Sequence, residues 1–431
     1  MCYTQYEMLD KQSFLTDKII YFSFGLLFFL TPLLWFPLNF ELFEFNKMLL
    51  VYFLTTIIVC AWLLKMVNLK IFNLKRTPLD IPLLLFLLSQ ILSTIFSIDQ
   101  HTSVWGYYSR QNGGLLSTVS YLILYFSFVS NIEKAQVFKL LKIALASGFI
   151  VSIWGILEHF GVSPSCVILR GEFNTNCWVQ DVAARVFATL GQPNWLATYL
   201  GMLIFPALYF FLTAKNRILH TAYCILLVVI YLAFTFTYSR GATLGLIVGI
   251  VVVLSFWLVQ NYNKKILLIV FCSFLFINLL FGSALTRFNL TAKNPTSSFS
   301  LREASQPPTS ISSTQLESGG TESGQIRLIV WQGALDIFKA YPIFGSGVET
   351  FAYSYYQFRP AVHNLTSEWD FLYNKAHNEF LNYLATTGLV GFGSYSIIFI
   401  TFIIWCFKNL VIASAAKQSS SLSRSPRSLI L

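Results

Sequence analysis

Long apolar stretches, separated by shorter polar ones, dominate the pattern of this chain. A membrane-spanning helix needs about 20 predominantly apolar residues. The pattern therefore predicts an all-α polytopic membrane protein with about ten transmembrane helices, nine within residues 1–284 and the last at 380–407. The predicted spans are 18–36, 47–64, 79–97, 114–130, 140–160, 195–213, 219–237, 241–259, 266–284 and 380–407.

One long polar stretch, residues 285–379, separates the ninth and tenth predicted spans. Its first part, 297–325, is rich in Ser, Thr, Pro, Gln and Gly, a composition typical of disorder. The second part predicts an amphipathic helix near 327–340 that lies at the membrane surface and ends before Pro342 and Gly345-Ser346-Gly347. Its apolar residues recur at helical spacing: Leu328, Trp331, Leu335 and Phe338.

Composition and charge agree with a membrane protein and fix an orientation. Hydrophobic residues make up 55% of the chain and charged residues 11%, against about 25% charged in soluble domains. The net charge is +10, and Lys and Arg concentrate in alternate loops, beginning with the N-terminal side. The positive-inside rule then places both termini in the cytoplasm and 285–379 outside. No basic run with interleaved aromatic residues appears, so we expect no nucleic-acid partner.

The tail and the cysteines leave questions open. Residues 408–431 hold many Ser among Lys, Arg and Pro, which fits either a disordered cytoplasmic tail or a truncated reading frame. Cys166 and Cys177 share a predicted outer loop and could pair if that compartment is oxidising. Cysteine spacing predicts no metal site.

Ionisable residues are nearly absent from the centres of the predicted spans and gather at their outer ends. These residues lie in four outer segments. The segments are Arg185 with Gln192-Pro193-Asn194, Tyr238-Ser239-Arg240-Gly241, Arg327 just ahead of the amphipathic helix with Trp331, and His377-Asn378 before the last span. Each residue alone also fits a structural role: Asn194 as a helix cap, the arginines as snorkelling or interfacial anchors, and His377 as a packing residue.

Together these residues favour chemistry on a phosphorylated lipid. Arginines bind diphosphates through charge-assisted hydrogen bonds and stabilise the negative charge of a leaving diphosphate without a metal. A histidine with a pKa near its ordinary value of about 6.5 accepts a proton from an attacking hydroxyl. No Asp-x-Asp pair suggests a bound divalent cation, so we expect no metal and no cofactor.

In these motifs the chain resembles the O-antigen ligase and polymerase-like membrane glycosyltransferases, which include lipopolysaccharide ligases and protein O-oligosaccharyltransferases. The resemblance covers roughly residues 180–395. It rests on Gly191-Gln192-Pro193-Asn194-Trp195-Leu196-Ala197, Ser239-Arg240-Gly241, Arg327 with Trp331, Pro342-Ile343-Phe344-Gly345-Ser346-Gly347, His377-Asn378-Glu379-Phe380-Leu381 and Gly388. Family members usually continue for one or two more spans, which favours truncation here.

The resemblance implies a metal-independent, inverting transfer at the outer face of a bacterial cytoplasmic membrane. The donor would be a glycan on a polyprenyl diphosphate, and the acceptor a lipid, a glycan or a protein hydroxyl. Arg240 and Arg327 would hold the diphosphate and His377 would activate the acceptor. Arg185, Asn194, Trp331 and Asn378 would contribute to substrate binding. Two other functions stay open: a flippase for the same lipid-linked glycan, and a non-catalytic membrane assembly protein.

Overall fold

The computed structural model describes residues 2–260, 264–282, 284 and 323–422, and within these ranges it contains helices and no strand. The α-helices, numbered here α1 to α14 in chain order, are Cys2–Leu33, Glu44–Leu69, Asp80–Ile95, Gln100–Trp105, Leu115–Asn131, Lys134–His159, Pro164–Arg170, Pro193–Thr213, Arg217–Phe236, Arg240–Gln260, Lys264–Phe281, Ser323–Ala340, Phe351–Phe358 and Glu379–Leu422. Short 3₁₀ turns occur at Ala188–Leu190 and Ala361–Leu365. The all-α prediction is therefore confirmed.

Each of the ten predicted spans coincides with a helix. Six described helices are long and apolar enough to cross a membrane: Phe14–Leu33 of α1, α2, α6, α8, α9 and Glu379–Asn409 of α14. The other four predicted spans correspond to shorter apolar helices, Asp80–Ile95, Leu115–Asn131, Arg240–Ser255 and Cys272–Phe281. The chain is thus a multi-pass membrane protein, and the count of ten spans stays a prediction.

Two compact units divide the chain. Unit 1 comprises Met1–Thr77, Ser120–Phe288 and Phe402–Leu431, and unit 2 comprises Pro78–Val119 and Asn289–Thr401. In unit 1, α6, α8 and α9 pack around a core whose fully buried residues include Leu196, Leu200 and Ile230. These apolar side chains stabilise the unit by close packing.

In unit 2, α12 also has a second apolar face, which packs against the protein. Ile326, Val330, Ala334 and Ile337 are buried against Phe351, Tyr355 and Tyr373, whereas Leu328 and Leu335 of the predicted membrane-facing stripe are exposed. Contact of that stripe with the membrane surface stays a prediction. Both sets recur at spacings of three and four residues, so periodicity alone does not choose between them. Helix α12 also begins at Ser323, which places Arg327 inside the helix rather than ahead of it.

Helix α14 is interrupted at Gly388, and residues 342–347, which follow α12, form hydrogen bonds with its backbone on both sides of the interruption. Gly388 has φ 62° and ψ −163°, a conformation open essentially to glycine alone. The amides of Leu389 and Val390 donate to the carbonyls of Pro342 and Ile343 at 2.9 and 3.2 Å. In return the amides of Ser346 and Gly347 donate to Ala385 and Thr386 at 3.1 and 2.9 Å. The turn therefore satisfies backbone groups that an interrupted helix exposes.

The two cysteines that the sequence left as a possible pair are bonded. Cys166 and Cys177 form a disulfide with their Cα atoms 5.4 Å apart. Helix α14 continues to Leu422, past the predicted end at residue 407. Residues such as Ala415, Ala416 and Lys417 are good helix formers, which explains the extension. The segment 285–322 and the last residues, 423–431, lie outside the described residues.

The break predicts a large effect of Gly388→Ala on stability. A Cβ atom there would lie 2.4 Å from the Ile343 carbonyl oxygen, and the backbone conformation alone costs an alanine about 1–3 kcal/mol. We expect a clearly lower thermal unfolding temperature for the detergent-solubilised variant.

The matched control is Gly393→Ala, on the same helix, where a Cβ meets nothing within 4 Å. Its unfolding temperature should equal or exceed that of the wild type, since alanine favours helix over glycine. Equal losses in both variants would contradict the role given to the break.

Candidate functional site

The predicted site residues fall into two groups, one in each unit. Arg185, Asn194 and Arg240 belong to unit 1, and Arg327, Trp331, His377 and Asn378 belong to unit 2. Each group is described from its own contacts.

In unit 1, Asn194 joins two helix beginnings. Its Oδ1 accepts a hydrogen bond from the Ser239 hydroxyl at 2.8 Å and from the Arg185 guanidinium at 3.4 Å. The Arg185 Nε also donates to the Thr237 carbonyl at 3.2 Å. The expectation that Asn194 caps its helix is wrong, because the N-cap position of α8 is Gln192 and Pro193 occupies the first turn.

The same hydrogen bonds place two helix N-termini together. Asn194 lies in the first turn of α8, and its partner Ser239 immediately precedes Arg240, the first residue of α10. A helix N-terminus carries partial positive charge and unpaired amides, which attract anions. Arg240 and Arg185 are both exposed and add full positive charges to this region. The arrangement is suited to binding a phosphate group.

The buried side chain of Glu158, which the sequence analysis did not single out, binds the loop that carries Arg185. Glu158 is 0% exposed. Its Oε2 accepts from the amides of Ala188 and Phe187 at 2.8 and 3.3 Å, and Oε1 accepts from the Ser163 hydroxyl at 3.1 Å. An acid near the end of an otherwise apolar helix is the signal that could have found it.

Lys47 contacts the same loop at Thr189. Its Nζ donates to the Thr189 carbonyl at 2.6 Å, while the Thr189 hydroxyl donates to the Pro32 carbonyl at 2.7 Å. The contact joins residues 142 positions apart, so it could not be read from the position of Lys47 along the chain.

In unit 2, His377 occupies a strained backbone position. Its φ is 53°, a left-handed conformation that costs most residues about 1–2 kcal/mol. The residues on both sides are held in place. The Trp331 indole donates to the Ala376 carbonyl at 3.0 Å, and Asn378 Oδ1 accepts from the Phe380 and Leu381 amides at 3.1 and 3.3 Å. Asn378 thus caps α14, and the strained histidine is presented at the start of that helix.

The surroundings keep the His377 imidazole neutral. The residue is exposed, and its ring meets the Tyr373 ring edge-on at 5.4 Å between centroids. Desolvation lowers the pKa of His377 below its ordinary value, and the positive charges of Arg327 and Lys375 lower it further, against an opposing effect of Glu368. A neutral imidazole can accept a proton near neutral pH.

A second histidine in unit 2 has a different role. His363 is 0% exposed. Its Nδ1 lies 2.6 Å from the Tyr355 hydroxyl and its Nε2 lies 3.2 Å from the Glu368 carbonyl. Both ring nitrogens are therefore engaged, which is typical of a structural histidine.

The described residues contain no group of three or more His, Cys, Asp or Glu side chains that could hold a metal ion. The expectation of a metal-independent reaction stays a prediction.

Residues 222–396 match a family model described as O-Antigen ligase. The resemblance to the O-antigen ligase family is confirmed over these residues. The match includes Arg240, Arg327, Trp331, His377 and Asn378. Arg185 and Asn194 precede it. No curated protein matches the chain.

The O-antigen ligase match covers less than half of the chain, yet unit 2 reaches beyond it. Residues Pro78–Val119 precede the matched segment and pack within the same unit. The Ile98 amide, for example, donates to the Ser346 carbonyl at 2.9 Å. The match supports a membrane glycosyltransferase of the O-antigen ligase type in general.

Because His363 is buried and hydrogen-bonded whereas His377 is exposed and strained, we expect replacing His363 to destabilise the protein and replacing His377 not to. His363→Ala removes a buried side chain and leaves the Tyr355 hydroxyl without its partner, which should cost about 2 kcal/mol or more. His377→Gly relieves left-handed strain of about 1 kcal/mol, offset in part by the flexibility of glycine in the unfolded chain. Thermal unfolding in detergent should therefore show a loss for His363→Ala alone. Equal losses would identify His377 as a structural residue.

Proposed function

We propose that this chain transfers an oligosaccharide or polysaccharide from a polyprenyl diphosphate to an acceptor hydroxyl at the outer leaflet of a bacterial cytoplasmic membrane. The bond between the sugar C1 and the diphosphate oxygen breaks, and a bond between C1 and the acceptor oxygen forms. The diphosphate leaves with the bonding electrons, and attack from the opposite face inverts C1. The acceptor is a lipid, a glycan or a protein hydroxyl.

The observation that carries this proposal is the presentation of His377. An exposed imidazole, held in a strained backbone position and kept neutral by its surroundings, has the properties of a general base. It would take the proton of the acceptor hydroxyl as the new bond forms. Strained backbone positions of this kind cluster at functional sites, which supports a functional role.

The arginines support the second half of the reaction. Arg240 stands at the N-terminus of α10, where the helix dipole adds to its charge. The charge of Arg327 acts on both His377 and Tyr373. We assign both arginines to the donor's diphosphate, whose negative charge grows as the sugar leaves. No metal is required for this stabilisation.

Two other functions give different results in a transfer assay. A flippase would move the lipid-linked glycan without joining it to an acceptor. A non-catalytic assembly protein would tolerate the loss of Arg240 and His377 together. Purified protein, a lipid-linked donor and separate acceptors therefore distinguish the three functions.

Replacing His377 with Gln should slow transfer by roughly 10²–10⁴-fold, the usual contribution of a general base. Membrane insertion and donor binding should stay near the wild type. Because the pKa of His377 is lowered, the base is neutral at pH 7, and the wild-type rate should fall only as the pH drops below about 6.5. The residual rate of the variant should lack that decline.

His101→Gln is the matched control, because His101 is also exposed and lies in unit 2 outside the site. It should transfer glycan at the wild-type rate. A His377→Gln rate within threefold of the wild type would remove His377 from the mechanism.

If Arg240 and Arg327 bind the diphosphate through paired hydrogen bonds, a positive charge alone at these positions is not enough for full transfer activity. Arg327→Ala and Arg240→Ala should each raise the barrier by about 2–4 kcal/mol, on the order of 10²-fold or more in rate. The Lys variants should also be impaired, since an ammonium cannot reproduce the planar fork of a guanidinium.

Arg217→Ala is the control for Arg240, because Arg217 is likewise the first residue of an apolar helix, α9. Its transfer rate should be unchanged. Full activity of a correctly inserted Arg240→Ala protein would reject the assignment.

A further inference from the structure

Unit 2 contains an open cavity of about 290 Å³ that none of the residues discussed above lines. Four tyrosines dominate its wall, and the lining residues are Tyr107, Tyr108, Ala352, Tyr353, Tyr356 and Leu372. Its volume is close to the lower end of the usual range for small-molecule sites, about 300 Å³. Such sites combine an apolar, aromatic wall with a few polar groups, and tyrosine supplies both.

Helix α13 explains how two of these tyrosines reach the cavity. Its residues Phe351, Ala352, Ser354 and Tyr355 are buried, whereas Tyr353 and Tyr356 on the other side are 41% and 77% exposed. The core-facing positions hold the helix in place. Both rings lie on the side of α13 away from the core, and large exposed aromatic groups often mark binding surfaces.

The opposite wall comes from the loop between α4 and α5. The Tyr107 and Tyr108 rings lie 4.8 Å apart at an angle of 48°. The Thr102 hydroxyl donates to the Tyr353 hydroxyl at 3.3 Å, which links α4 to α13. The cavity is therefore formed by two segments that contact each other in the absence of a ligand.

The position of the cavity indicates which part of a lipid-linked glycan it would meet. All lining residues lie outside the apolar helices Asp80–Ile95, Leu115–Asn131 and Glu379–Asn409. A polyprenyl tail stays in the hydrocarbon, whereas the sugars extend beyond the helix ends. Leu372 is followed in the chain by Tyr373, whose ring contacts His377.

We infer that this tyrosine cavity is a saccharide-binding subsite that holds a sugar ring of the transferred or accepting glycan, an inference that rests on the proposed glycosyl transfer. Sugar rings have apolar C–H faces and a rim of hydroxyls. Tyrosine rings pack against the C–H faces, and the hydroxyl rim stays in contact with water at the open side of the cavity. Stacking of this kind tolerates different sugars, which suits the binding of a repeating glycan.

The test measures binding rather than transfer. The probe is free oligosaccharide, released by mild acid from the producing cells' own polyprenyl-diphosphate pool and labelled at its reducing end. Fluorescence anisotropy with the detergent-solubilised full chain gives its Kd. Tyr356→Ala should weaken binding by about 2- to 10-fold, the usual range for one aromatic contact. Tyr356→Phe, which keeps the ring, should recover most of the affinity.

Two controls make the result specific. Tyr209→Ala removes an exposed ring from unit 1, outside the cavity, and it should leave the Kd unchanged. Undecaprenyl diphosphate without sugar is the second probe, and Tyr356→Ala should not alter its binding. Thermal unfolding checks that each variant is folded, which we expect for a side chain so exposed.

Unchanged glycan affinity in folded Tyr356→Ala, or no glycan binding by the wild type, would overturn the inference. Weaker binding of undecaprenyl diphosphate instead would assign the cavity to the lipid tail and also overturn it. Tyrosine-dependent glycan binding without His377-dependent transfer would contradict the proposed reaction but leave the subsite standing. The two failures are therefore distinguishable.

Discussion

The arrangement of unit 2 depends on backbone hydrogen bonds between an interrupted helix and the turn that fills the interruption. Within apolar surroundings an unpaired amide or carbonyl costs several kcal/mol. The segment from Pro342 to Gly347 supplies donors and acceptors to both sides of the break at Gly388. This pairing requires glycine at close approaches, since a Cβ at Gly345 would lie 2.2 Å from the backbone of Thr386 and Thr387.

Buried hydroxyls surround this pairing. The Ser93 hydroxyl donates to the Thr386 carbonyl at 3.1 Å, the Ser103 hydroxyl donates to the Val348 carbonyl at 2.9 Å, and Ser346 lies 2.9 Å from Thr350. A fully paired polar network favours one arrangement over its alternatives, because any shift leaves a buried group unsatisfied. The network fixes the first part of α14, and with it the position of His377. Helix α3, which precedes the matched O-antigen ligase segment, contributes to it.

In unit 1 a comparable role belongs to Glu158, whose carboxylate accepts two amides of the loop after Arg185. The two units thus share one principle. In each unit, proposed site residues lie next to backbone that buried polar contacts hold in place, as precise catalytic geometry requires.

The sequence by itself determined the helices, because long apolar runs have no other stable structure in a membrane. Its short motifs singled out Arg240, Arg327 and His377 as proposed site residues, and it left Cys166 and Cys177 as a possible pair in one loop, which the structure shows to be a disulfide. Only the tertiary structure decided which face of α12 is buried, since both faces are periodic. It also showed that Asn194 bridges two helices, that His363 is structural while His377 is exposed, and that four tyrosines share a cavity. These properties depend on contacts between residues distant in the chain, which local pattern and propensity do not specify.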